Sequence, residues 1–156
     1  MKTSLIWVGK TTDKRIGSCI DDYLGRIVHY MPFQIVGIPD LKTTKSLSVS
    51  KQKEMEGEMI LKQLQPSDHV VLLDERGAER RSVEFADWLV HKSLSTRSLV
   101  FVIGGPYGFS DAVYKRANER ISLSLMTFSH QMVRLIFTEQ LYRACTIIKG
   151  EPYHHP

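Results

Sequence analysis

The chain has 156 residues, 42% of them hydrophobic and 24% charged, which excludes the disordered and collagen-like classes and suits one soluble domain over residues 1–156. No apolar run reaches the length of a bilayer span, since Arg134, Glu139, Arg143 and Lys149 interrupt the longest one. The net charge of +4 leans toward a polyanionic partner without specifying one.

Met1-Lys2-Thr3 and the short run Leu5 to Val8 lack the long apolar region and cleavage site of a signal peptide, so a cytoplasmic protein is expected. Thr3 to Val8 reads as a buried strand. Asp13 to Val28 reads as a helix with Ile16, Ile20, Leu24, Ile27 and Val28 on one side. Phe33 to Ile38 is the next strand, and the polar stretch from Asp40 to Ser50, with Lys42 and Lys45, predicts an exposed, mobile loop. Helical spacing resumes from Lys51 to Leu64, Pro66 and Ser67 break it, and His69 to Leu73 is a dense apolar strand ending at Asp74. Val83 to Leu94 follows as a helix with Ser82 as a candidate cap, then Leu99 to Ile103 as a buried strand. Gly104-Gly105-Pro106-Tyr107-Gly108 predicts a tight turn, and Ser110 caps a short helix to Ala117. Ile121, Leu123 and Leu125 alternate with Ser122 and Ser124, the period of a strand; after Phe128-Ser129-His130 a long apolar helix runs to Gly150. Strands alternating with helices predict an α/β fold, a mostly parallel sheet with helices on both faces. There is no internal repeat.

Chemistry is expected where a strand hands over to a helix, because backbone groups at the carboxyl end of a parallel sheet are left free to grip a ligand. Gly9-Lys10-Thr11 imitates the end of a phosphate-binding loop, but Ser4 stands where its first glycine belongs. The Gly104 to Gly108 turn brings backbone close to any ligand there, yet it lacks the dinucleotide fingerprint and reads first as a plain turn. His154-His155 has no Cys, Asp or Glu at ligand spacing, so no metal site is expected and a flexible tail is the simpler reading. Cys19 and Cys145 both fall in apolar helical patterns and read as core residues. A lone histidine is usually structural; His130, directly after a strand, is better placed for chemistry than most.

Taken together, V-I-G-G-P-Y-G (102–108), L-S-L-M-T-F-S-H-Q-M-V-R (123–134), E-Q-L-Y-R-A (139–144) and G-E-P-Y-H (150–154) resemble the bacterial large-subunit ribosomal RNA methyltransferases that modify pseudouridine at N3. The likeness runs the whole chain, through Val8-Gly9-Lys10, Glu56-Gly57-Glu58 and Leu73-Asp74 with Gly77. That family belongs to the SPOUT class, and the resemblance implies a C-terminal trefoil knot, which no hydrophobic pattern could predict. It implies S-adenosylmethionine held by Leu73, Gly104, Leu123, Ser124, Leu125, Met126, Thr127 and Phe128. It implies an acceptor side formed by His130, Tyr153 and His154, with His130 or His154 as base and Tyr153 orienting the base ring. The implied partner is the ribosome through its 23S rRNA, with neither metal nor membrane involved. The chain departs from the family at its end, where His155 and Pro156 stand in place of the usual terminal Lys or Arg. Two other readings share these features: a basic α/β RNA-binding assembly factor without catalysis, and a SPOUT enzyme acting on another RNA position.

The last helix adds an expectation of its own. At 100° per residue from Met132, apolar side chains fall at nearly every angle, leaving no broad polar face. A helix on a single core keeps one side wet, so burial on a second side is needed; the chain's own wrapping is the simpler reading, and a homodimer is the one expected.

Overall fold

The computed structural model describes residues 1–42 and 45–156. Five strands and five helices follow in the order β1 (Lys2–Val8), α1 (Lys14–Ile27), β2 (Phe33–Ile38), α2 (Val49–Lys62), β3 (His69–Glu79), α3 (Ser82–Ser95), β4 (Ser98–Ile103), α4 (Asp111–Arg116), β5 (Glu119–Ser122) and α5 (His130–Lys149). The strands form one sheet in the order β2-β1-β4-β3-β5, and every pairing is parallel. The expected α/β architecture is therefore present. The expected Asp40 to Ser50 loop lies in part outside the described residues, and α2 begins inside it at Val49, capped by Ser48.

Alternation along each central strand divides the core into two layers. Leu5, Trp7, Val71, Leu99, Phe101, Ile103 and Ile121 pack with Phe85 and Leu89 of α3 and Phe137, Leu141 and Ala144 of α5. Ile6, Val8, Val70, Leu72, Val100 and Val102 point the other way, against Ile60 of α2 and Val113 of α4. β4 is buried on both sides, which is why its sequence is a nearly unbroken apolar run. Glu119 anchors the start of β5: its carboxylate accepts from His69 Nε2 at 2.9 Å and Trp88 Nε1 at 3.0 Å and pairs with Lys92.

Several local expectations are corrected. β5 stops at Ser122 instead of reaching Leu125, because serine side chains divert the backbone: Ser122 Oγ donates to the Ser124 carbonyl at 3.0 Å, and Met126 N–H donates to Ser124 Oγ at 2.9 Å. Leu125 is consequently 78% exposed. β3 runs beyond Leu73 to Glu79, but Leu73 and Ala78 both take Ile121 as partner, so residues 74–77 leave the ladder. Gly77 closes that excursion; a Cβ there would lie 2.6 Å from the backbone of Arg120 and Ile121, and no side chain fits. Ser82 is the first residue of α3, whose cap is Arg81, and the Ser82 hydroxyl ties α3 to α5 by donating to Gln140 Oε1 at 2.9 Å. Cys145 is buried as expected, whereas Cys19 sits on the outer side of α1 and is exposed; both are free thiols.

The expected caps at Ser110 and Gly150 hold. Ser110 Oγ accepts from Val113 N–H, and Gly150 ends α5 in the left-handed conformation at φ 69°, which glycine adopts without steric penalty. Among the described residues no helix is long and apolar enough to cross a membrane.

Candidate cofactor and acceptor site

The excursion of β3 and the loops that follow β4 and β5 enclose a cleft of about 630 Å³. From β3 come Leu73 to Arg76, from β4 Ile103 to Phe109, and from the segment after β5 Leu123, Ser124 and Met126 to Ser129; His130 and Val133 of α5 close it. Of the eight residues expected to hold a cofactor, seven line this cleft. Leu125 does not, its side chain pointing to solvent.

The Gly104 to Gly108 segment is the tight turn expected, with Gly108 N–H donating to the Gly105 carbonyl at 3.1 Å. Its glycines also make it thin. A Cβ at Gly104 would lie 3.2 Å from the Phe109 ring, and one at Gly105 would lie 2.3 Å from Glu56 Oε2. A side chain at either position would push against Phe109 or Glu56, and with glycine there main-chain groups form this wall of the cleft.

The start of α5 is pinned by side chains that sequence reading passed over. Gln131 Nε2 donates to Thr12 Oγ1 at 2.6 Å, while its Oε1 accepts from the backbone N–H of Thr12 and of Asp13. One turn on, Arg134 is 1% exposed. Its guanidinium donates to the Val8 carbonyl and to Thr11 Oγ1, each at 2.9 Å, and lies 4.7 Å from the centre of the Trp7 ring. Burial pushes its pKa down to about 10, which still leaves it charged at neutral pH. In the sequence Arg134 was only an interruption of an apolar run; nothing in its spacing told that it would bind the end of β1. Ser129 caps α5, so His130 is its first residue, facing the cleft and making no side-chain hydrogen bond to another described residue.

Tyr153 and His154 lie elsewhere. After Gly150 the chain folds back, and the Tyr153 ring packs edge-on against Tyr142 at 4.8 Å between centroids. The Tyr153 hydroxyl donates to Glu139 Oε1 at 3.0 Å and shares a hydrogen bond with Tyr23. Burial together with these two contacts raises the Tyr153 pKa far above its usual value, so the phenol is a donor and not a base. Arg143 Nη1 donates to His154 Nδ1 at 3.4 Å, which makes that ring nitrogen an acceptor. Tyr30 donates to Glu151 at 2.5 Å, and the carboxylate pushes its pKa up to about 12. Along α5, at 1.5 Å per residue, Glu139 stands about 14 Å and Arg143 about 20 Å beyond His130. One chain thus brings His130 to the cleft and keeps Tyr153 and His154 well down the same helix. No group of three or more metal-type side chains comes together among the described residues.

Comparison with known proteins adds to this geometry. The family described as "Predicted SPOUT methyltransferase" matches residues 1–154. "Ribosomal RNA large subunit methyltransferase H" of Bacteroides thetaiotaomicron is 58% identical over 156 residues, covering 99% of both chains. Proteins of the same name from Flavobacterium johnsoniae and Porphyromonas gingivalis are each 54% identical over 156 residues, again covering 99% of both chains. The parallel sheet, the excursion of β3 against β5 and the cleft at their ends go with the knotted α/β fold of that class, and the chain belongs to the SPOUT methyltransferase family.

Proposed function

We propose that this chain methylates N3 of a pseudouridine in 23S rRNA, using S-adenosylmethionine, as a homodimer acting on the assembled ribosome in the cytoplasm. The observation that carries the reading is the full-length identity of 54–58% to proteins named as large-subunit ribosomal RNA methyltransferases, joined to a cleft of about 630 Å³ built from strand-end backbone. A cleft of that size is in the usual range for a cofactor of this kind, and its make-up fits: glycine walls at Gly104 and Gly105, apolar Leu73, Leu123, Met126 and Phe128, and polar Ser124 and Thr127. The cofactor, when bound, supplies an electrophilic methyl group.

The chain's own residues supply alignment and proton handling. Holding the two reactants in line is worth about 7–11 kcal/mol, whereas a general base contributes about 10²–10⁴-fold. His130 is the better base for the N3 proton, because it borders the cleft with its ring unengaged, while His154 already spends Nδ1 on Arg143. Tyr153, held protonated, donates a hydrogen bond or stacks on the base. Because α5 separates these groups within one chain, the acceptor site is completed by the tail of a second copy. The burial pattern of α5 supports such a copy: besides its packing on α1 and α3, it leaves Met132 40% and Ile148 44% exposed and Val133, Leu135 and Ile136 half-buried.

The deciding experiment maps the methylated nucleotide by mass spectrometry after ribosomes lacking the modification are treated with the protein and a labelled methyl donor. A single N3-methylated pseudouridine in 23S rRNA is expected, with protein-free rRNA a far poorer substrate. Label on ribose or on another base would replace this reading by a different SPOUT specificity, and binding to ribosomes without any label would favour the assembly-factor reading.

A further inference from the structure

α2 sends one carboxyl group into the protein directly behind the glycine wall of the cleft. Glu56 is 5% exposed; its Oε1 accepts from Gln52 Nε2 at 3.1 Å, while its Oε2 has no hydrogen-bond partner among the described residues. Gly105 makes the contact possible, since a Cβ at that position would lie 2.3 Å from Oε2 and 3.0 Å from the carboxyl carbon. Gly105 lines the cleft and Glu56 does not, so one backbone thickness separates the carboxyl from the space beyond. The charged groups whose fields reach Glu56 are Asp40, after β2, and His130, at the head of α5 and itself on the cleft. Gln52 is its neutral neighbour on α2, and the β4–α4 turn presents backbone.

A buried, half-partnered carboxylate is expensive, and burial accordingly raises the Glu56 pKa, helped by Asp40 and opposed by Gln52 and His130. Such a group changes state most readily when a positive charge arrives nearby. On the methyltransferase reading above, the ligand entering the cleft carries a fixed positive sulfur and leaves it as a neutral thioether. We propose that Glu56, acting through the thin wall at Gly105, is the counter-charge for the cofactor sulfonium and makes the cleft hold the methyl donor more tightly than the demethylated product. Glu56 touches neither reactant and is a positioning residue. Because a sulfonium favours the ionised carboxyl, donor binding releases a proton wherever free Glu56 is protonated, and donor affinity climbs with pH until Glu56 is ionised beforehand. The product, lacking that charge, shows neither effect.

The test is calorimetry of S-adenosylmethionine and S-adenosylhomocysteine binding to the full chain, across pH and in two buffers of different ionisation enthalpy. For the unaltered protein, proton release with the donor alone and a donor preference rising with pH are expected. Glu56→Gln should abolish the release and reduce the preference about tenfold. Gln52→Ala, which lies outside the cleft and removes the hydrogen bond that Glu56 accepts, should keep both and carry the proton release to higher pH. Equal weakening of both ligands by Glu56→Gln would reduce Glu56 to a prop for the loop and overturn the proposal, as would proton release that persists in that variant. Should Glu56→Gln fail to fold, Gln52→Ala decides alone: proton release that is absent, or unmoved along the pH axis, is adverse. Binding of both ligands without preference sinks this inference only, whereas binding of neither sinks the methyltransferase reading as well.

Discussion

The two ends of α5 are built on opposite plans. At its head, Gln131 and Arg134 lock the helix to the loop after β1, and His130 is left with an unengaged ring beside a cleft walled by backbone. Toward its foot, Glu139, Tyr142 and Arg143 engage the tail, Glu151 of the tail accepts from Tyr30, and Tyr153 and His154 already have partners within the chain. One end is rigid support around an open space; the other is a folded-back segment held by side-chain contacts at the surface. A group fastened by a few such bonds can exchange them for others. The comparison teaches that a stretch continuous in sequence, from Leu123 to His154, comes to lie in two places separated by about 14–20 Å along one helix.

Removing residues 153–156 tests the division most severely. Methyl transfer to ribosomes should disappear while S-adenosylmethionine affinity stays within about twofold, since no residue of the cleft is lost. Full activity in the shortened chain would take Tyr153 and His154 out of the reaction. The converse change, Gly104→Asp, puts a charged side chain where a Cβ alone is already tight against Phe109, and it should lower cofactor affinity by about 100-fold while the tail keeps its contacts. Unchanged affinity by calorimetry would move the cofactor to another place.

Mixing sharpens the comparison further. In equimolar mixed dimers, one chain truncated after Pro152 and the other carrying His130→Gln, half the dimers are mixed and each regains one intact site, so activity should recover to about a quarter of normal if tails act across the interface. No recovery, with dimers verified by light scattering, would confine each tail to its own chain. The smallest effect is expected from Tyr153→Phe, which keeps the ring against Tyr142 but loses the hydroxyl donated to Glu139; thermal unfolding should report a loss of about 1 kcal/mol.

Much of the fold was legible in the sequence because burial writes itself into periodicity. β4 is sandwiched between two helical layers and must be apolar throughout, and the caps at Ser110 and Gly150 are local chemistry that a few neighbouring residues decide. The alternation from Ile121 to Leu125 misled for the same reason: it has a strand's period, but the Ser122 and Ser124 side chains compete for backbone groups, and pattern carries no account of that competition. In the site, the cleft residues were reached through family likeness and not through spacing, since glycines and short apolar stretches are common.

By itself, then, the sequence determined the parallel α/β layering and the helix ends at Ser110 and Gly150, each set by interactions within a few residues or by which side chains avoid water. Only the tertiary structure decided that Arg134 would be buried against Trp7, that Gly77 would admit the backbone of β5, that Glu56 would stand behind Gly105, and that His130 and Tyr153 would part company along α5. These are contacts between residues tens of positions apart, or a rigid helix keeping near neighbours in sequence from meeting in space. Neither leaves a mark in local composition, because the energy that selects them belongs to the packed whole.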